Sequence, residues 1–168
     1  MRARVLIAGI GNVFLGDDGF GVEVARRLAD VELPPWAQVA DYGISGVHLA
    51  FDLLGGYDTT ILVDATPRGE EPGTISVLEL RDGDRIGTTG AAFDGHGMQP
   101  DAVLALLDTL GGDAGRVLIV GCEPADLGHR IGLSDPVRRA VDPAVRKVID
   151  LLDAEKRRFE QQPLRQEV

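Results

Sequence analysis

Residues 5–21 read Val5-Leu6-Ile7-Ala8-Gly9-Ile10-Gly11-Asn12-Val13-Phe14-Leu15-Gly16-Asp17-Asp18-Gly19-Phe20-Gly21. The run Val5-Leu6-Ile7-Ala8 is short, apolar and β-branched at two positions, which predicts a buried strand. Beyond the glycines, Val22, Val24, Ala25 and Leu28 recur at helical spacing with Glu23, Arg26 and Arg27 between them. That spacing predicts an amphipathic helix over about 19–30. A strand that runs through a glycine-rich loop into a helix is the opening unit of a parallel α/β sheet. Such sheets build their sites outside the carboxyl ends of the strands. Glycines let this loop turn sharply and let a second group come close. Asp17 and Asp18 are its charged side chains.

Three chemistries compete for the loop. A dinucleotide fingerprint, Gly-x-Gly-x-x-Gly, fails at Phe14. A phosphate loop needs Lys followed by Ser or Thr, and neither is present; two carboxylates would also repel a phosphate. The acids can simply favour the positive end of the helix that follows. The remaining reading is a metal or acid–base site, since carboxylate oxygens suit hard and borderline cations and the glycines leave room for an ion and a substrate.

Working outward, the chain alternates strand and helix. Gln38-Val39-Ala40 predicts a second strand, with Asp41 following it and a loop carrying Gly43 and Gly46. Val47, Leu49, Ala50, Leu53 and Leu54 give the next helix an apolar face, stopped by Gly55-Gly56. Residues 59–64 form a third strand ending in Asp64, and 74–80 a fourth. A long Gly-, Asp- and Thr-rich loop over 82–97 contains His96, and long loops in compact domains are often functional. Pro100 fits the first turn of another helix. Residues 116–121 are the last strand. Ser134, with Pro136, starts a long final helix whose buried stripe is Val137, Ala140, Val141, Val145, Val148, Ile149 and Leu152. After Asp153 the chain turns polar, and we expect one domain over 1–153 with a frayed tail over 154–168. The alternation predicts a three-layer α/β/α sandwich with a mostly parallel sheet.

The bulk numbers narrow the function classes. The 168 residues fit one domain. A formal net charge of −10 argues against a nucleic-acid partner, which would want a basic face. A single cysteine, Cys122, excludes an intrachain disulfide and a multi-cysteine zinc site. No apolar run reaches the roughly 18 residues of a membrane span, so no membrane partner and a cytoplasmic location are expected.

Parallel strands bring their carboxyl ends to one edge. Asp18 and Asp64 meet there if the first and third strands are neighbours, and His96 joins them if its loop folds back over the edge. Two carboxylates and an imidazole make a facial set able to bind a divalent ion. Against this, a strand-end aspartate is often only a turn former. His48 reads as a partly exposed helix residue, His129 as a loop residue that either stacks near the site or does nothing, Glu123 as a structural strand-end residue, and Cys122 as a buried strand-end residue rather than a nucleophile.

These residues also resemble a known family, the hydrogenase maturation proteases. Gly9 through Gly21, Asp41 with Gly43 and Gly46, Leu62-Val63-Asp64-Ala65 with Pro72-Gly73-Thr74, and His96-Gly97 with Asp101-Ala102-Val103-Leu104 carry the likeness in order. Gly121-Cys122-Glu123-Pro124 and Gly132-Leu133-Ser134 fit later patterns. The resemblance covers about residues 4–150. It implies a five-stranded sheet whose fourth strand, 74–80, is antiparallel. It implies an endopeptidase that removes a C-terminal extension from the nickel-loaded large-subunit precursor of a nickel–iron hydrogenase. The catalytic and metal-binding residues it implies are Asp18, Asp64 and His96. Substrate recognition would fall to Asp41, Gly43, Gly46 and Asp17. Nickel would arrive with the substrate, no tightly held metal of the protein's own would be required, and the protein would act as a monomer. A nickel-binding chaperone without hydrolysis and a nucleotide-binding Rossmann-like module are the alternatives.

Overall fold

The computed structural model describes residues 4–80 and 100–162, so His96 and the end of the chain lie outside the described residues. The strands are β1 (Val5–Ile10), β2 (Ala37–Gly43), β3 (Thr59–Ala65), β4 (Ile75–Leu80) and β5 (Arg116–Cys122). The helices are α1 (Phe20–Ala29), α2 (Gly46–Leu53), α3 (Pro100–Thr109) and α4 (Asp135–Gln161). The sheet order is β2-β1-β3-β5-β4. The β1–β2, β1–β3 and β3–β5 pairings are parallel, and β4 runs antiparallel to β5. This is the mixed five-stranded sheet that the resemblance implies.

The alternation of side chains along buried strands makes two cores. Val5, Ile7, Ile61, Val63, Leu118 and Val120 face α1 and α4, meeting Phe20, Val24, Leu28, Val141 and Val148. Leu6, Ala8, Ile10, Leu62 and Ile119 face α2 and α3, meeting Leu49, Leu53, Val103 and Leu107. Strands buried on both faces read as continuous apolar runs, which is why β1, β3 and β5 stand out in the sequence.

The glycines of the opening stretch serve this packing. A Cβ on Gly9 would lie 2.3 Å from the Gly21 carbonyl oxygen. A Cβ on Gly21 would lie 2.0 Å from the Val63 carbonyl oxygen and 2.4 Å from that of Ile10. Helix α1 therefore starts flush against the backbone of β1 and β3. Gly21→Ala has no flexible side chain to displace, so α1 must move off the sheet. We expect it to cost about 3 kcal/mol, at the top of the usual overpacking range; chemical denaturation of the purified variant measures it.

Two sequence expectations need correction. The chain beyond Asp153 is not a frayed tail through residues 154–161: α4 continues to Gln161. Its reason is Glu155, which is 1% exposed. One oxygen of Glu155 accepts from Thr59 Oγ1 at 2.8 Å and from Arg158 at 3.2 Å, and the other from Arg116. Arg116 also forks onto Glu79 at 2.7 and 3.1 Å. This network closes the amino edge of the sheet, where β3 and β5 begin and β4 ends. Helix α4 also runs through Pro143, an interior position that removes one backbone hydrogen bond. The second correction concerns Asp41, which lies within β2 rather than after it. As an edge strand, β2 tolerates an exposed polar residue. Among the described residues, no helix is long and apolar enough to cross a membrane.

Candidate active site

The site is assembled at the carboxyl edge. As β1 ends, Gly11 takes φ 138° and its N–H donates to the Gly43 carbonyl at 2.9 Å, joining the first loop to the second. The chain then makes a 3₁₀ turn at Gly16–Gly19, which carries Asp17 and Asp18. That turn folds back over the strand end. A Cβ on Gly11 would lie 1.8 Å from the Asp18 carbonyl oxygen, so only glycine allows the return. Asn12 N–H donates to Asp18 Oδ2 at 2.7 Å, and Asn12 Oδ1 accepts from Phe14 N–H at 2.9 Å.

Asp64 is the penultimate residue of β3, paired with Gly121 of β5. Because β1 and β3 are neighbours, Asp18 and Asp64 come together. Burial, and then the negative charge of Asp18, hold the Asp64 carboxyl well above the usual carboxylate range. Burial also raises Asp18, against the opposing pull of the Asn12 N–H. Two partly buried carboxylates set side by side, each with a raised proton affinity, will also accept a cation between them. Among the described residues, no group of three or more His, Cys, Asp or Glu converges on one point; the third expected member, His96, lies outside them.

The recognition residues go different ways. Asp41 is exposed and its Oδ2 lies 3.9 Å from Arg26 Nε of α1. Gly43 has φ 55° and sits opposite the bulge at Gly9/Ile10. Gly46 opens α2, whose N-cap Ser45 accepts from His48 N–H at 3.3 Å. Asp17 turns inward instead of outward: it is 0% exposed, and its carboxylate accepts hydrogen bonds from Ala125, Asp126 and Ser134. This corrects its reading as a substrate-facing residue. Ser134 stands at the N-cap of α4, as the sequence predicts, but its hydroxyl donates to Asp17 and makes no cap bond. Nothing local in the sequence links Ser134 with Asp17, which lie 117 residues apart.

Glu123 is buried and accepts from Arg68 N–H at 2.7 Å. His48 stacks edge-on to Tyr42 and lies 3.5 Å from Asp52. Cys122 is fully buried, and burial with the nearby Asp17 and Glu123 charges pushes its thiol up to about 12. A thiol reagent at pH 8 should therefore leave Cys122 unlabelled in the native protein and label it in denaturant. Rapid native labelling would overturn its assignment to the core.

A doubly wound sheet with two neighbouring carboxylates at its carboxyl edge is an α/β fold whose site suits a cation or acid–base chemistry. Comparison with known proteins makes this specific. The family model HycI, hydrogenase maturation protease, matches residues 22–151. The hydrogenase expression/formation protein HupD of Rhizobium leguminosarum bv. viciae is 33% identical over 152 residues, covering 89% of this chain and 74% of HupD. The hydrogenase 2 maturation protease of Escherichia coli K12 is 29% identical over 151 residues, covering 89% and 90%. The solved structure of the hydrogenase maturating endopeptidase HybD from E. coli superposes with a TM-score of 0.74 at 26% identity, covering 90% and 93%. The chain belongs to the hydrogenase maturation protease family. It is a peptide hydrolase of that family, a hydrogenase maturation endopeptidase.

Proposed function

We propose that this endopeptidase removes a C-terminal extension from the nickel-loaded precursor of a nickel–iron hydrogenase large subunit. The observation that carries the reading is the Asp18–Asp64 pair, two adjacent carboxylates at the carboxyl edge of neighbouring strands, with Asp64 raised by burial and by the charge of Asp18. In this reading the nickel is part of the substrate. Asp18, Asp64 and His96 complete its coordination, and the held ion polarises the scissile carbonyl or activates a water. Substrate recognition falls to Asp41 and Gly43 toward the end of β2 and to Gly46 at the start of α2. Cleavage is then gated by the cargo, because the protein's own residues supply only part of a coordination sphere. No tightly held metal of its own is needed, and the protein works as a cytoplasmic monomer.

The test is a cleavage assay on the large-subunit precursor, with and without nickel, followed by intact mass. Loss of a C-terminal peptide only from the nickel-loaded precursor is the expected result. Cleavage of both forms would remove the gating. Nickel binding with no cleavage of a precursor that cell extract can process would leave a nickel-binding chaperone.

A further inference from the structure

We propose that Asp17 is a positioning residue for the cleavage: it fastens the turn that presents Asp18 to the segment 125–134, and so fixes where the Asp18 carboxylate stands. The proposal rests on the reading of Asp18 as a ligand of the substrate's nickel. Asp17 Oδ2 accepts from Ala125 N–H at 2.8 Å, Asp126 N–H at 2.9 Å and Ser134 Oγ at 2.8 Å. Its Oδ1 accepts from Ser134 N–H at 2.7 Å. The backbone repeats the connection: Asp17 N–H donates to the Asp126 carbonyl at 2.8 Å, Gly16 N–H to Arg130 at 2.8 Å, and Arg130 N–H to Phe14 at 3.1 Å. A Cβ on Gly16 would lie 2.5 Å from the Asp126 carbonyl oxygen, so the two segments are as close as backbones come. Among the described residues, the Asp18 carboxylate is held through the single Asn12 N–H at 2.7 Å. Its placement is inherited from the turn, and the turn is set by Asp17.

The chemistry of the anchor is specific. All four partners of Asp17 are donors, so both carboxylate oxygens must accept. Asparagine offers one acceptor oxygen and an NH₂ group, and whichever way it flips, a donor faces a donor. The turn must then shift, and a displacement of about 1 Å at a reacting group can cost on the order of a hundredfold in rate.

The experiment compares Asp17→Asn, Ser134→Ala and Ser134→Thr with the wild-type protein on the nickel-loaded precursor. Each is scored for thermal unfolding, for kcat and KM separately, and for the NMR shift of the Asn12 amide proton that reports the bond to Asp18. We expect Asp17→Asn to unfold cooperatively with kcat down about tenfold or more, KM within about twofold, and the Asn12 amide moved upfield. Ser134→Ala should show the same changes in smaller measure, about threefold in kcat, and Ser134→Thr should restore them because it keeps the hydroxyl donor. A folded Asp17→Asn with wild-type kcat or an unmoved Asn12 amide overturns the proposal. If Asp17→Asn does not fold, the serine pair decides: Ser134→Ala with wild-type kcat and an unmoved amide overturns it. Failure of the wild-type protein to cleave the precursor would count against the functional reading of Asp18. The Asn12 amide would still decide whether Asp17 sets the position of Asp18.

Discussion

Asp64→Asn should lower precursor cleavage at least about a hundredfold while leaving the fold as stable as before or more so. The two halves of this result have one cause. Asp64 is carried on the buried strand β3, beside Asp18, and its carboxyl is held well above the usual range by burial and by that neighbour. A carboxyl whose pKa is higher in the folded than in the unfolded chain weakens the fold as pH rises from the unfolded pKa, near 4, through the folded one. At neutral pH the wild-type protein bears that cost. The neutral amide does not, and it can still accept the Ala65 N–H that Asp64 accepts. The unfolding midpoint of Asp64→Asn should therefore equal or exceed that of the wild type at pH 7, with the difference shrinking below about pH 4. What the amide cannot do is supply a second negative charge to a cation. Wild-type cleavage rates would remove Asp64 from the chemistry, and a midpoint lowered by many degrees would make it a structural residue.

Glu155→Ala should produce the opposite pattern: a large loss of stability with kcat unchanged for the protein that remains folded. Glu155 is buried at the amino edge of the sheet, and its partners Thr59, Arg116 and Arg158 come from β3, β5 and α4 itself. Removing it leaves the Thr59 hydroxyl without its acceptor and takes one of two carboxylates from Arg116, which keeps Glu79. Breaking a buried ion pair costs about 3–5 kcal/mol. Since the Arg116 side chain is 30% exposed and can recruit water, we expect the low end, about 3 kcal/mol. For a chain of this size that is a fall of about 6–12 °C in Tm. A Tm within a degree of wild type would show the network to be incidental.

The sequence reveals those features whose cause is local. The apolar runs of β1, β3 and β5 and the stripe of α1 declare themselves because burial on both faces, or on one helical face, leaves a period in the chain. Asp18 and Asp64 are legible as a pair because strand-end position and sheet order together predict their meeting. Where the cause is distant, the reading fails. Asp17 looks as available as Asp18, yet the N–H groups that claim it lie more than a hundred residues on, in Ala125, Asp126 and Ser134. The polar stretch after Asp153 looks like a tail because the partners that make Glu155 a core residue sit 39 and 96 residues back, at Arg116 and Thr59. A charged residue carries no mark of whether its counter-charge waits in the fold or in solvent. Asp41 reads as a loop residue because a polar side chain on an exposed edge strand looks the same as one in a turn.

The length of α4 has a consequence for how this protein can change over time. At 27 residues it is about 40 Å long. It begins at Ser134, in the grip of Asp17, and reaches Glu155 at the opposite edge of the sheet. One helix thus spans a working end and a bracing end. Changes at the first should alter processing at nearly constant melting temperature, and changes at the second should do the reverse. A library scored for both traits would sort its variants along the axis of this helix. Lineages meeting hotter conditions could reinforce the Glu155 end without renegotiating how the precursor is cut.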